Sequence, residues 1–319
     1  MISIICPSFN EVNNIRNILS FFMESKPGEK ELLIVDGGST DGTREIVSEW
    51  CGKNSNIRLI ENTKQTVPFA LNLGIKNSNG EIIVRIDAHT IYSLDYFEKI
   101  IETFERTGAD IVGGPTRIQA DNVMQEAIGF TMSHPFGIGG SKVHDQKFEG
   151  YADHVTFGAW KREIFKDTGL FDERLKRNQD DEFHYRAKSL GKKIYLNPEI
   201  KLWYIPRGSI PEFFVQYFQF GLYKPLVLTK IKSAIELRHI IPSLFVAYLL
   251  TLPLSFILPY WLIPLALYFS IIMIISFTAK LKIPFMLIIL FPVIHIAYGT
   301  GFLLGLIKSL KKNRRNEHQ

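Results

Sequence analysis

Cysteine is nearly absent: Cys6 and Cys51 are the only two in 319 residues, and they form no C-x-x-C pair. That excludes a disulfide framework and a thiolate metal cluster, and it fits a soluble part working in a reducing compartment. The dinucleotide fingerprint G-x-G-x-x-G is missing after the first apolar run, as is the P-loop G-x-x-x-x-G-K-[ST]. Neither hydride transfer nor nucleotide hydrolysis on those frameworks is favoured. No secretory leader is expected, because residue 2 already begins the apolar run I-S-I-I-C, and the front of the chain is expected in the cytosol. Acidic charge is scarce at one end: residues 239–319 hold 7 Lys and Arg against 1 Asp or Glu, while 1–238 hold 30 against 31. The net +5 belongs to the tail, and the near-neutral front lacks the basic face of a nucleic-acid binder.

The acid-poor end is strongly apolar. Stretch 240–279 is long enough for two membrane spans of roughly 20 residues each, with Pro259 and Pro264 around Tyr260-Trp261 as the turn. A third span is expected at 283–306, giving two to three transmembrane helices over 239–307. Lys308, Lys311, Lys312, Arg314 and Arg315 form a basic tail over 308–319, either meeting anionic headgroups or simply solvated. Three crossings would export that tail, against the positive-inside bias, so the number of crossings stays open. The aromatic-rich segment from Pro211 to Leu228 reads as an interfacial amphipathic helix within a 211–238 connection, or as an ordinary core helix.

Ahead of it, residues 1–210 read as one α/β domain. Apolar strands are expected at 2–6, 31–35, 57–60, 82–86 and 109–113, alternating with helices, the pattern of a mostly parallel sheet with flanking helices. Ile15, Ile18, Leu19 and Phe22 recur at i, i+3, i+4 and i+7, one buried face of a helix. Further helices are expected at 43–50, 67–76, 94–106, 161–167 and 180–190, and strands at 193–196 and 200–205. Residues 114–150 read as a long irregular excursion.

Several strand ends carry chemistry. E-I-I-V-R-I-D-A-H-T, residues 81–90, ends by projecting Asp87 and His89 two residues apart, on one side of an extended chain. A carboxylate and an imidazole so placed can share a divalent cation, and open α/β sheets bind ligands at that edge. C-P-S-F-N-E (6–11) and V-D-G-G-S-T-D-G-T (35–43) put acceptors and donors at two more strand ends. Asp36 can accept from a nucleobase or ribose, while Ser39, Asp41 and Thr43 can equally cap the next helix.

Together with A-L-N-L-G (70–74) and N-Q-D-D-E-F-H-Y-R (178–186), these motifs fall in an order that resembles the family 2 glycosyltransferases of the Rossmann-like GT-A fold, over about 1–225. More narrowly, D-A-H and N-Q-D-D-E resemble the succinoglycan-biosynthesis type of membrane glucosyltransferase. The resemblance implies a nucleotide-diphosphate sugar donor, a UDP-sugar foremost, and a lipid-linked saccharide acceptor in polysaccharide biosynthesis. It also implies inverting transfer of one hexose at the bacterial cytoplasmic membrane, by a multi-pass protein in contact with membrane lipids. Pro7, Asn10 and Glu11 would line the nucleoside pocket, Asp36 would bind the base, and Ser39 would lie close by. Asp87 and His89 would hold Mg²⁺ or Mn²⁺ on the diphosphate, with Arg85 beside them as charge partner. Asp180 matches the catalytic base, crowded by the negative charges of Asp181 and Glu182, which with Gly158, Ala159 and Trp160 would form the acceptor side. Helix-terminal charge is the plain alternative for the acidic triplet.

The chain also departs from that pattern. Leu71 stands where many relatives carry Arg, leaving a phosphate contact to be lost or supplied by Lys64. Q-x-x-R-W is absent, which favours single transfer over polymerisation. Arg207 is a candidate second diphosphate contact or a membrane-interface anchor. His295 flags function within a span, although His295 with Gly299, Gly301 and Gly305 also fits close helix packing. Transfer to polyprenyl phosphate itself, and a nucleotide-sugar binder without catalysis, remain as alternatives.

Overall fold

The structure, a computed structural model, describes residues 1–137, 140–231 and 236–316, with side chains as far as 311. The chain divides into two compact units, one of Met1–Arg117 with Lys142–Tyr204 and one of Ile118–Ser141 with Ile205–Gln319. The first division therefore falls at Tyr204 rather than at 210, and residues 118–141 group with the C-terminal part.

In the first unit, β1 (Ile2–Ser8), β2 (Lys30–Asp36), β3 (Ile57–Glu61) and β4 (Ile82–Arg85) run parallel, linked by helices α1 (Ile15–Glu24), α2 (Thr43–Lys53) and α3 (Val67–Asn77). The chain continues through β5 (Thr90–Tyr92), α4 (Tyr96–Thr107), β6 (Ile111–Gly113) and β7 (Thr116–Ile118). After the segment assigned to the second unit come β8 (Gly150–Tyr151), β9 (Ala159–Lys161), α6 (Ile164–Thr168), α7 (Gln179–Ser189), β10 (Ile194–Leu196) and β11 (Leu202–Tyr204). The main sheet is ordered β3-β2-β1-β4-β9-β6-β10-β8, with β9 antiparallel to both its neighbours and β8 antiparallel to β10.

Both faces of this sheet are covered, which explains the continuous apolar strands. Ile4, Cys6, Leu32 and Ile34 face a core shared with Ile15, Ile18, Leu19 and Phe22 of α1. The alternate residues Ile5, Leu33 and Val35 face one shared with Ala70, Leu71 and Ile75 of α3. Leu71 is a core residue and makes no phosphate contact in its place, whereas Lys64 is exposed. Chain order reverses at β1: β2 lies on one side and β4 on the other. The carboxyl ends of β1 and β4 lie at that switch point, where open α/β sheets bind ligands, and Asn10, Glu11 and Asp87 follow directly after them.

In the second unit, a helix stands where an irregular excursion was expected: α5 (Val123–Ser133). It starts on Asn122, whose side chain accepts from the Gln125 N–H at 3.0 Å. Then follow α8 (Ile210–Lys230), α9 (Leu237–Leu250), α10 (Ile263–Thr278) and α11 (Leu287–Asn316). The stretch expected to hold two crossings breaks into the 14-residue α9, 3₁₀ turns over Leu252–Phe256 and Pro259–Leu262, and α10. At 1.5 Å per residue α9 falls short of a hydrocarbon layer about 30 Å thick. Among the described residues, two helices are long and apolar enough to cross a membrane, Pro259–Thr278 and Pro284–Lys311. Leu267, Ile271, Ile274 and Phe277 of α10 are exposed. Helices α8 and α11 meet backbone to backbone, since a Cβ on Gly221 would strike the Tyr298 carbonyl and one on Gly301 the Phe218 carbonyl. His295 sits between the Tyr268 hydroxyl (2.8 Å) and the Phe136 carbonyl (2.9 Å), the packing role weighed for it from sequence.

Candidate active site

The loop after β2 is built around Asp36, 1% exposed. Its Oδ1 accepts from the N–H groups of Gly38 (2.9 Å) and Ser39 (2.8 Å), and its Oδ2 from Ser39 Oγ (2.5 Å). Gly38 takes a positive φ of 85°, which closes the turn at no Cβ cost. Ser39 Oγ in turn accepts from the Asn10 N–H (2.8 Å), and Asn10 Oδ1 accepts from the Thr40 N–H (3.0 Å). Thr43 Oγ1 accepts from the Glu11 N–H, and Asp41 Oδ2 from the Val12 N–H. The ends of β1 and β2, with Pro7 and Asp36, and the loops after them, with Asn10, Glu11 and Ser39, are thus clipped into one surface. Three of the four lone-pair positions on Asp36 are spent on its own loop, so its first task is to shape that surface.

Beyond β4 the chemistry changes. Arg85, 6% exposed, ends the strand and grips Asp87 with both arms of a fork, Nε to Oδ1 at 2.9 Å and Nη2 to Oδ2 at 3.0 Å. Its Nη1 lies 3.9 Å from Asp180 Oδ2 and has no hydrogen-bond partner. Burial works against the guanidinium charge, but Asp87, followed by Asp180, outweighs it and holds the group more firmly protonated than usual. The Phe157 ring lies beneath the guanidinium, 5.2 Å from its centroid. The Tyr92 hydroxyl accepts from the Asp87 N–H at 2.8 Å and fixes the D-A-H turn.

His89 Nδ1 faces Glu11 Oε1 at 3.3 Å. A carboxylate only accepts, so Nδ1 carries the hydrogen and a neutral ring would ligate through Nε2, the usual carboxylate–imidazole–metal order. No group of three His, Cys, Asp or Glu gathers for a metal among the described residues. A Mg²⁺ or Mn²⁺ held by one carboxylate and one imidazole, with phosphate and water oxygens for the rest, fits this donor set.

Asp180 opens α7, half-buried, its Oδ1 accepting from the Asp181 N–H at 2.9 Å. Asn178, just before the helix, has φ 60°. Among the described residues the non-glycines with positive φ are Asn10, Gln65, Phe157 and Asn178, and each borders this site. Gln65 packs on the Asp36 loop, 3.5 Å from where a Gly38 Cβ would stand. On the same helix His184 is 1% exposed, stacked on Trp160, with neither ring nitrogen hydrogen-bonded. Burial above all pushes its pKa down to about 3, against the opposing pull of Asp180, so the ring is neutral.

Four sequence expectations for the acceptor side change. Gly158, Ala159 and Trp160 are all buried. Ala159 and Trp160 form the central strand β9, and the Gly158 carbonyl accepts from the Arg85 N–H (3.1 Å). The Trp160 ring packs on Phe171 and Phe183 inside the core, so this trio supports Arg85 from behind and walls no open cleft. Glu182, also 1% exposed, is held by Arg186 through bonds of 3.0 and 2.8 Å one helical turn on. Its charge is matched there by the Arg186 guanidinium, and Asp181 is half-buried next to Asp180. Arg207 falls in the second unit, three residues before α8. Tyr92, Phe157, Gln65 and His184 went unnoticed in the sequence, where only the nearness of Tyr92 to D-A-H was visible.

Residues 3–169 match the model of glycosyl transferase family 2. A succinoglycan biosynthesis protein, ExoA of Rhizobium meliloti, is 30% identical over 75% of this chain and 73% of its own. A dolichyl N-acetyl-alpha-D-glucosaminyl phosphate 3-beta-D-2,3-diacetamido-2,3-dideoxy-beta-D-glucuronosyltransferase of Methanococcus voltae is 32% identical over 96% of this chain and 97% of its own. Among solved structures, a mannosyltransferase of Pyrobaculum calidifontis, in complex with GDP-mannose and Mn²⁺, superposes with a TM-score of 0.64 at 18% identity, over 95% of this chain and 86% of that one. A crossover sheet with its switch point at β1, the family match over 3–169 and a relative matched along nearly its whole length lead to one conclusion: the chain is a glycosyltransferase of the GT-A fold and belongs to glycosyl transferase family 2.

Proposed function

We propose that the protein moves a single hexose from a nucleotide-diphosphate sugar, a UDP-sugar foremost, to a lipid-linked saccharide in polysaccharide biosynthesis, with inversion at the anomeric carbon. The observation that carries this reading is Arg85 lying between Asp87 and Asp180: the expected cation ligand and the expected base meet around one guanidinium. The clipped residues Asn10, Glu11, Asp36 and Ser39 receive the nucleoside, together with Pro7 near the end of β1. Asp87 and His89 are the residues that would hold Mg²⁺ or Mn²⁺, which GT-A enzymes generally use. The ion supplies positive charge against the charge developing on the departing diphosphate, worth several kcal/mol. Asp180 takes the proton of the attacking hydroxyl, a contribution of about 10²–10⁴ in rate. Asp181 lies beside the base on the acceptor side.

A lipid-linked acceptor is supported by the Methanococcus relative, whose name specifies one, and by the apolar exposed face of α10. The helices Pro259–Thr278 and Pro284–Lys311 attach the chain to the cytoplasmic membrane. Two crossings would return the basic tail to the side from which the chain entered, in keeping with the positive-inside bias and a cytosolic catalytic unit. Membranes containing the protein, offered UDP-, GDP- and other nucleotide sugars with and without EDTA, provide the test. Radiolabel is expected in extractable lipid from one donor class, abolished by EDTA and restored by excess Mn²⁺. Labelling that is indifferent to EDTA, or absent with every donor, would contradict the proposal.

A further inference from the structure

Arg85 is placed oddly for a simple binding residue. It ends a central strand, nearly fully buried, and a buried guanidinium is costly unless its charge and its donors are matched. Two of its three nitrogens are matched on Asp87, at 2.9 and 3.0 Å. The third, Nη1, is buried without a partner, 3.9 Å from Asp180 Oδ2. A shift of about 1 Å would bring it to hydrogen-bond distance of that carboxylate. The fork spends one lone-pair position on each Asp87 oxygen, so a divalent ion approaching either oxygen meets the guanidinium's charge and the two cations compete for one carboxylate. The Phe157 face under the guanidinium gives the cation a second foothold while the fork opens.

We propose that Arg85 is a resident counter-charge which Asp87 exchanges for the divalent ion, and that the released guanidinium closes on Asp180, so that cation loading and orientation of the base become one event. Arg85 is a positioning residue in this account: it keeps Asp87 neutralised before the ion arrives and aims Asp180 afterwards. The inference rests on the proposed roles of Asp87 and Asp180.

The test is Mn²⁺ binding to the full-length protein without nucleotide sugar, read from the electron paramagnetic resonance of free Mn²⁺. Wild type is compared with Arg85→Gln, Arg85→Lys and Asp87→Asn. Losing a competing buried charge is expected to tighten Mn²⁺ binding about tenfold in Arg85→Gln. A smaller tightening is expected in Arg85→Lys, whose ammonium cannot fork. A residue that served only the fold would weaken binding when replaced, and if Arg85→Gln fails to fold, Arg85→Lys alone carries the same sign. Equal or weaker Mn²⁺ binding in both Arg85 variants, with binding lost in Asp87→Asn, would overturn the exchange and leave the cation site standing. Equal binding by wild type and Asp87→Asn would instead remove the cation site on which the inference rests.

Discussion

The two halves of the site are satisfied to different degrees. On the nucleoside side, the side-chain oxygens of Asn10, Asp36, Ser39, Asp41 and Thr43 named above all have short partners, Ser8 Oγ being the exception at the strand end. On the transfer side, Arg85 Nη1, Thr90 Oγ1, Trp160 Nε1 and both nitrogens of His184 are buried without hydrogen bonds. Buried polar groups are seldom left that way, because each unmet one costs about 1–3 kcal/mol. The contrast sets a nucleoside side whose loops are clipped together beside a transfer side where Arg85 Nη1 is still unspent, with Trp160 and His184 packed in the core behind it.

The contrast breaks most visibly at Asp180. If the transfer half carries the chemistry, Asp180→Asn lowers kcat by about 10²–10⁴ while nucleotide-sugar affinity, measured by calorimetry, stays within twofold. Loss of affinity with kcat intact would reverse the assignment of the halves. A smaller effect is expected from the cradle. Ser39→Ala removes the hydroxyl that joins Asp36 to Asn10, and an unmet buried carboxylate oxygen of about 1–2 kcal/mol should raise the donor KM roughly 5–30-fold with little change in kcat. Steady-state kinetics over donor concentration reads the split.

The smallest effect sharpens the account of the unsatisfied half. His184 titrates near 6.5 when unfolded and near 3 in place, so between those values the unfolded chain binds the extra proton and stability falls as pH falls. The loss should reach about 1–2 kcal/mol between pH 6.5 and 5. In His184→Asn, denaturant unfolding followed over that range should lose this slope, whereas an unchanged slope would mean that other groups produce it.

Much of the first unit was legible because its strands obey local rules. Ile4 and Ile5 point to opposite cores, as a two-residue period demands, and the Asp36 loop announces itself through glycine and short oxygen-bearing side chains. The D-A-H turn was legible for the same reason. Burial decided by distant packing was not. Trp160 in a strand reads equally as wall or core until Phe171 and Phe183 close over it. Glu182 could have been read better, since Arg186 stands one helical turn on in the sequence. Helix α5 hid behind neighbouring glycines although Asn122 and Gln125 marked its start, and α9 was obscured because an unbroken apolar run does not reveal where a helix stops. The contacts of Phe157 with Arg85 and of Tyr92 with Asp87 are tertiary and left no local pattern.

The central claim is that Asp87 and His89 hold a cation opposite Asp180. Its most direct test is an anomalous-scattering map of the full-length protein crystallised with Mn²⁺ and UDP. The account predicts one Mn²⁺ peak about 2.0–2.3 Å from an Asp87 oxygen and the His89 Nε2, touching the diphosphate. A peak on other residues, or a diphosphate bound without metal while Arg85 still grips Asp87, would contradict it.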